Sequence, residues 1–570
     1  MAKAGRYTIP LADVERIDAA ELFSISGEQR KAVRAARPRL MLMALIFAFG
    51  YSVLMVRSIS LTIFDHQSVS VKSRVVAAIR VPRAKLTDRN GGLLASSIET
   101  YSAYITRANI RNAERLANQL SAIKGLASEE ILRARLEGKK GRARIGHRLT
   151  PAIRDAIFSL GLPGMKFVPE LTRYYPRGQF AAHVLGWVNA DGKGPAGAER
   201  AFEEKLLDKN TKTLALSLDT RVQFALESEL QTAMEEFRPE AALGIITNIK
   251  TGEVLAMAGR PTFSPNAPGK ASPRERRNRA ATDRYELGSV FKPLTLAMGF
   301  DQGLIEPDEL FDVVRPLVVS TKQINDMHRS RHKMSVREIL VKSSNKGAAL
   351  IALKVGGKKQ RQYLADFGLL DAAKIELKES ARPYMSTRQW RAVKTATIGY
   401  GHGITVTPLA FVQAMGAVAN GGHLVPLTLL ARPPGYRPEG RDVISPKAAK
   451  TVVGIMREVV TRGTGKNANV EGYDVAGKTG SAEKLDPKTG RYAKDRNISS
   501  FVAIFPAYNP QYLVFILLDE PKGDVHTSGW ETAGWNAAPV AGRVISRIGP
   551  VLLPLAKRTN LMASNVEKNP

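Results

Sequence analysis

The stretch Gly288-Ser289-Val290-Phe291-Lys292-Pro293 constrains the fold more tightly than any other in the chain. Proline is tolerated in a helix only where a backbone N–H would be unpaired anyway, so Pro293 sets a helix start within a few residues upstream. Leu294-Thr295-Leu296-Ala297-Met298-Gly299-Phe300 then has the apolar spacing of a buried helix. Ser289 therefore stands at the positive end of a helix, with Lys292 one turn above it on the same face. A serine hydroxyl is a poor nucleophile until a nearby base takes its proton. Lysine can be that base where burial and neighbouring cations hold it neutral. Serine and lysine three apart on a helix are common, so the rest of the chain decides whether this pair is chemical or structural.

Zero cysteines exclude disulfides, thiolate nucleophiles and cysteine-based zinc sites. The eight histidines show no His-Glu-x-x-His or other ligand spacing, so no metal or other cofactor is expected. With 84 basic against 53 acidic residues the formal charge is +31, which points to polyanionic surroundings. No nucleic-acid motif accompanies the charge, so a membrane is the expected setting and nucleic acid is not. Arg30, Lys31, Arg34, Arg37 and Arg39 form a basic cluster with no acid among them. Leu40 to Val56 follows, 17 residues without a charge, and beyond Arg57 the run continues mostly apolar to Phe64. With Arg57 snorkelling to the interface, 40–64 can span a bilayer as an uncleaved signal anchor. The basic cluster before it predicts a cytoplasmic tail, 1–39, and an exported remainder.

Residues 65–210 read as short strands, turns and charged helices, a spacer or docking module without a catalytic constellation. Leu86–Ala95 is a strand, an Asn90-Gly91 turn and a second strand. Ala127–Gly146 reads as a very basic, solvated helix, and Gly194–Glu199 as the opening of an amphipathic helix. His183 reads as a packed histidine. From 211 to 556 the character changes. Thr213–Leu218 reads as a strand, Asp219 as an N-cap, and Val222, Leu226, Leu230, Met234 and Phe237 as one helix face. Leu243–Ile249 and Glu253–Ala258 form a hairpin apolar enough to be central in a sheet. Phe501–Phe505 and Tyr512–Leu518 are a final strand pair, Ala537–Leu555 a closing helix, and 557–570 a tail. An α+β architecture follows, an antiparallel sheet with helices on one or both faces.

Two later stretches raise the standing of Ser289. Lys342-Ser343-Ser344-Asn345 contains Ser-x-Asn at a helix end, where a hydroxyl and an amide can point into one cleft. Asp474–Lys484 contains Lys478-Thr479-Gly480-Ser481 inside an apparent strand, offering a cation, two hydroxyls and a glycine that permits close backbone approach. Lys-Thr-Gly also occurs at Lys250-Thr251-Gly252, a hairpin turn, and at Lys488-Thr489-Gly490, a loop after Asp486-Pro487. Only Lys478 follows a strand-like run. Ser289, Ser343 and Lys478, in this order and with these partners, make the chain resemble the class B penicillin-binding proteins, single-activity D,D-transpeptidases. The resemblance extends to the anchor, to Leu86–Ala95 and Arg173–Gly186, and to everything from Leu214 to about Val551. Tyr400-Gly401-His402-Gly403 and Val406-Thr407-Pro408-Leu409 also match. Ser481 departs mildly from the family's usual threonine, and Glu483 from its glutamine or lysine.

The resemblance implies a penicillin-binding transpeptidase fold on a pedestal or dimerisation-like domain, carried by a single transmembrane helix. It implies that Ser289 attacks the penultimate D-Ala carbonyl of a peptidoglycan stem peptide, with Lys292 as base. Ser343 would relay the proton to the leaving amine and Asn345 hold the donor's amide. Lys478 would keep Lys292 neutral, with Thr479, Gly480 and Ser481 binding the terminal carboxylate. β-Lactams would be trapped at the same serine. The expected place is the inner membrane, with the catalytic domain in the periplasm. The expected partners are a polymerising glycosyltransferase and other division proteins. The compact pedestal, and Gly490-Arg491-Tyr492 after the Lys478 strand, favour the septal type over the elongation type. A β-lactamase or D,D-carboxypeptidase would need neither anchor nor second domain, and a scaffold with a degenerate site would not keep three intact motifs.

Overall fold

A computed structural model of the chain describes residues 38, 41–56, 58, 82–138, 140–385, 390–485, 492–523, 525 and 527–553. The chain divides into two compact units, Met1–Arg80 and Val81–Pro570. In the first unit, residues 41–56 are helical and their side chains are exposed. The rest of the expected span 40–64, like nearly all of the tail before it, lies outside the described residues. Among the described residues no helix is long and apolar enough to cross a membrane.

The second unit begins with a sheet of its own. Strand β1 (Lys85–Thr87) pairs antiparallel with β2 (Leu93–Thr106), which also pairs with β3 (Arg142–Leu149) and β4 (Met165–Tyr174). The Asn90-Gly91 turn forms as its sequence predicts. Asp88 Oδ1 accepts from the N–H groups of Asn90 and Gly92 at 2.9 and 2.7 Å. Beneath the sheet, Glu199 is fully buried between two guanidiniums, 2.9 Å from Arg83 Nε and 2.6 Å from Arg173 Nε. The helix expected to open at Gly194–Glu199 is present in two short pieces, Gly197–Ala201 and Glu203–Leu207, with Phe202 between them. Ala127–Gly146 is likewise only half helical. The helix Glu129–Leu136 gives way to β3, whose alternate residues Ala143 and Ile145 are buried against Leu116 and Leu132. His183 is packed, with Nε2 2.8 Å from the Glu275 carbonyl, and burial holds its pKa down to about 4.

The expected strand Thr213–Leu218 shortens to β5 (Thr213–Ala215), which joins the pedestal sheet parallel to β1. Asp219 then caps helix α1 (Thr220–Phe237), accepting from Arg221 N–H at 3.0 Å. The pedestal turn reaches the same cap: Asn90 Nδ2 donates to Asp219 Oδ2 and Thr220 N–H to Asp88 Oδ2, both at 3.1 Å.

The main sheet is antiparallel throughout, from β6 (Ala241–Asn248), β7 (Val254–Arg260), β8 (Ala476–Leu485), β9 (Tyr492–Phe505) and β10 (Tyr512–Asp519), in the order β8-β9-β10-β6-β7. Both faces are covered, as the period of two along β10 shows. Leu513, Phe515 and Leu517 join one core cluster, and Val514, Ile516 and Leu518 the other. Helices α1 and α7 (Ala537–Leu552) line the second face. The first carries α2 (Lys292–Asp301), α5 (Pro408–Ala419) and α6 (Pro446–Arg462). Of the hairpin expected to be central, β6 is interior, but β7 is an edge strand. Its apolar character comes from cover: Met257 N–H donates to Gln223 Oε1 of α1 at 2.9 Å, and Val254 N–H to the Thr428 carbonyl at 3.0 Å.

Glu199 has no exposure and neutralises Arg173 by itself, so Glu199→Ala is expected to destabilise the unit by about 3–5 kcal/mol. Denaturant unfolding followed by tryptophan fluorescence measures this. A cost below about 1 kcal/mol would mean that water reaches the cluster.

Candidate active site

Three separated segments converge beside the edge strand β8. The first is a 3-10 turn, Gly288–Phe291, that runs directly into α2, so Ser289 sits half-buried at the helix entrance and Lys292 is the first helical residue. Pro293 follows in the first turn, where its missing N–H costs nothing. The second is the junction between α3 (Val336–Val341) and α4 (Asn345–Val355). There Ser343 takes a left-handed φ of 61°, a strained choice for a non-glycine residue. That conformation turns both its carbonyl and its hydroxyl toward Lys292. The third is β8 itself, carrying Lys478 to Ser481 opposite Val502 to Ser499 of β9.

The contacts of Lys292 accommodate a neutral amine. Its Nζ lies 2.6 Å from the Ser343 carbonyl, 2.8 Å from Asn345 Oδ1, 3.0 Å from Ser289 Oγ and 3.2 Å from Ser343 Oγ. The first two are pure acceptors and take two N–H donors. A neutral amine has only two, so its lone pair is left facing the serine hydroxyls, in position to accept the Ser289 proton. The Asn345 orientation is fixed independently, because Nδ2 donates to the Asn325 carbonyl at 3.2 Å. Complete burial drives the Lys292 pKa well down, the Lys478 charge pushes the same way, and Asp326 opposes both.

Lys478 is also fully buried, but its surroundings suit an ammonium. Its Nζ is 2.9 Å from both Ser343 Oγ and the Thr479 carbonyl, and 3.2 Å from Thr479 Oγ1. Those are three acceptors for three donors. Burial brings its pKa down to about 7. Ser343 Oγ thus bridges the two amines, a route by which a proton can move between them.

Backbone packing closes the cleft. A Cβ on Gly480 would lie 2.6 Å from the Leu287 carbonyl, and one on Gly288 would lie 2.7 Å from the Ser481 carbonyl. Gly401 presses on the same turn from the other side, where a Cβ would come within 2.1 Å of the Gly288 carbonyl. Gly288 N–H donates to the Gly401 carbonyl at 3.2 Å. Ser481 Oγ accepts from Ala533 N–H at 3.2 Å, which leaves its own proton available to a ligand.

The sequence residues Ser289, Lys292, Ser343, Asn345, Lys478, Thr479, Gly480 and Ser481 are therefore brought together. Lys250 lies exposed in the β6–β7 turn, with Thr251 Oγ1 donating to Glu253 at 2.8 Å, and Lys488-Thr489-Gly490 falls outside the described residues. Two contributors escaped sequence reasoning. Thr464 Oγ1 is 2.8 Å from Thr479 Oγ1, and the glycines on either side of it were the available signal. Asp326 accepts from Ser344 Oγ at 2.8 Å and Lys346 N–H at 3.0 Å, and also from Asn345 N–H, which locks the start of α4. It lies in a loop and carries no local signature.

A serine with a buried lysine of lowered pKa behind it, a second buried lysine and an edge strand beside them define an active-serine acyl-transfer enzyme. Residues 242–545 match the penicillin binding protein transpeptidase domain and residues 78–218 the penicillin-binding protein dimerisation domain, so the chain belongs to the penicillin-binding protein transpeptidase family. It is 42% identical over 500 residues to the "Probable peptidoglycan D,D-transpeptidase FtsI" of Caulobacter vibrioides, covering 85% of this chain and 84% of that one. It is 28% identical to the peptidoglycan D,D-transpeptidase FtsI of Escherichia coli K12, covering 84% of this chain and 85% of the relative. Among solved structures it is similar to penicillin-binding protein 3 of Mycobacterium tuberculosis complexed with aztreonam. The TM-score there is 0.65 at 26% identity, covering 82% of this chain and 97% of that one.

Lys292→Arg is expected to abolish acylation by penicillin, because a guanidinium keeps the charge and cannot deprotonate. Lys478→Met removes a positive neighbour, which favours protonated Lys292. The surviving acylation should then need higher pH, and a stopped-flow pH profile would show the rising limb displaced upward. Alanine at Lys478 or Thr479 should cut acylation severely. At Lys250 or Thr251 it should stay within about 0.5 kcal/mol in stability, with labelling by fluorescent penicillin near wild type.

Proposed function

We propose that this D,D-transpeptidase crosslinks peptidoglycan stem peptides at the division septum through an acyl-enzyme on Ser289. The contact that carries the mechanism is Lys292 Nζ at 3.0 Å from Ser289 Oγ, with the amine's two N–H groups engaged elsewhere. Lys292 takes the hydroxyl proton as Ser289 attacks the penultimate D-Ala carbonyl. Ser343 passes that proton to the departing D-Ala amine, being within 3.2 Å of Lys292 and 2.9 Å of Lys478. The backbone N–H groups of Ser289 and Ser481 stabilise the oxyanion, each worth about 10²–10³ in rate. Thr479 and Ser481 hold the terminal carboxylate beside Lys478, Gly480 lets the strand approach, and Asn345 binds the donor amide. An amine of a second stem peptide then resolves the ester and forms the crosslink. β-Lactams are retained at the same serine.

The septal assignment rests on the likeness to the FtsI proteins and on the compact pedestal. In this proposal residues 1–39 are a cytoplasmic tail, 40–64 the single span, 65–210 the pedestal, 211–556 the catalytic domain in the periplasm, and 557–570 a tail. A polymerising glycosyltransferase and other division membrane proteins are its partners.

Ser289→Ala is expected to abolish covalent labelling of membranes by fluorescent penicillin while the protein stays folded and membrane-bound. Labelling at the normal rate would overturn the assignment of the nucleophile. Depletion should give filaments or branched cells, and a fluorescent fusion should gather at midcell. Rounded cells would favour an elongation role instead.

A further inference from the structure

Transpeptidation needs a second substrate that is harder to accommodate than the first. The acceptor is a primary amine, charged near neutral pH, and it must lose a proton before it can attack. It must also approach a serine already backed by Lys292 and Lys478, in a chain of net charge +31. Water competes for the same ester, and it is neutral and abundant. A site that favours amine over water therefore needs a carboxylate on its open side.

Glu286 meets that need. It precedes Ser289 by three residues and is half-buried. Gly403 N–H donates to its Oε1 at 2.9 Å and Tyr492 O–H to its Oε2 at 2.8 Å. Each oxygen keeps a lone pair for a further donor. His402 packs between Tyr400 and Tyr492, ring centroids 5.1 and 5.8 Å away, and its Nδ1 is buried without a hydrogen-bond partner. Burial lowers the His402 pKa, and the Glu286 charge opposes that shift. Gly401, just before His402, packs on the Gly288 carbonyl of the Ser289 turn, so Glu286, Gly403 and Tyr492 line the approach to that turn. Asp326 is engaged elsewhere, accepting from Ser344 Oγ and from the Asn345 and Lys346 N–H groups at the start of α4. Glu483, on β8, is exposed and is the other acid near Tyr492.

We propose that Glu286 is the acceptor site's catalytic residue, binding the ammonium of the second stem peptide and taking its first proton. This rests on the Ser289 acyl-enzyme described above. The freed amine nitrogen attacks the acyl carbonyl and a C–N bond forms. The C–Oγ bond to Ser289 breaks, and the second amine proton returns to Ser289 Oγ through Lys292. Glu286 releases its proton to solvent.

The test uses the full-length protein in detergent, a thioester donor ending in D-alanine, and a D-amino acid or stem peptide as acceptor. Two quantities are read: the rate of acylation by fluorescent penicillin, and the partition of the acyl-enzyme between amine and water. Glu286→Gln is expected to lower the aminolysis-to-hydrolysis ratio about 100-fold, the scale of a lost general base, with a much smaller fall in acylation. Glu286→Asp should recover part of the ratio. An unchanged ratio in Glu286→Gln would overturn the proposal. So would a parallel fall in acylation, which would mean that Glu286 only braces Gly403 and Tyr492. Loss of the ratio in Glu483→Gln instead would move the site to β8. Normal penicillin labelling of Ser289→Ala would refute the underlying acyl-enzyme, a separate failure.

Discussion

Two lysine amines buried around one serine hydroxyl govern the architecture of this enzyme. Two lysines with no solvent exposure face one serine hydroxyl, at 3.2 and 2.9 Å, and a dry cleft does not hold two ammonium groups at that spacing. The charge has to settle on one of them, and the partners decide which. Lys292 meets two carbonyl-type acceptors and two hydroxyls, which a neutral amine satisfies with its two N–H groups and its lone pair. Lys478 meets one carbonyl and two rotatable hydroxyls, the pattern of an ammonium. Much of the surrounding structure keeps that asymmetry in place. Ser343 is held at positive φ so that its carbonyl faces Lys292, and Asp326 pins the helix that supplies Asn345. The two-layer helical cover of the sheet excludes the water that would otherwise solvate both charges.

The pedestal joins the catalytic part through a shared apolar core, in which Leu86, Leu94 and Leu206 cluster with Leu216 and Leu218, and through hydrogen bonds. Its Asn90-Gly91 turn reaches Asp219 and Thr220, at the start of the long helix that lines the back of the main sheet. Glu199, neutralised by Arg83 and Arg173, fixes the strands behind that turn. Gly197 N–H in turn donates to Glu379 of the catalytic part at 2.9 Å. Strain or unfolding in the pedestal would therefore be felt at α1.

Residues whose neighbours lie close in sequence were the legible ones. Ser289 and Lys292 share a turn, Pro293 announces the helix, and Lys478 sits in a run whose alternation marks a strand. Phe501–Phe505 and Tyr512–Leu518 are apolar on both faces, as strands covered on both sides must be. Sequence and structure diverge where a distant partner sets the local form. The basic stretch after Ala127 becomes a strand because β2 is there to pair with it. β7 reads as central in the sequence because burial by α1 gives it the same apolar composition as pairing would. Thr464 and Asp326 were invisible for the same reason: a lone hydroxyl and a loop carboxylate gain meaning only from what folds against them.

The walls nearest Ser289 are main chain rather than side chain. Gly288, Gly401 and Gly480 stack with no room for a single added carbon, so the throat of the cleft cannot be reshaped one side chain at a time. Any inhibitor that reaches the serine presses on a surface whose contour is fixed by peptide groups, and the natural substrate presses on the same one. Discrimination between the two, if this lineage ever comes to need it, has to be written into the outer rim, where an exposed residue such as Glu483 can vary without disturbing the turn.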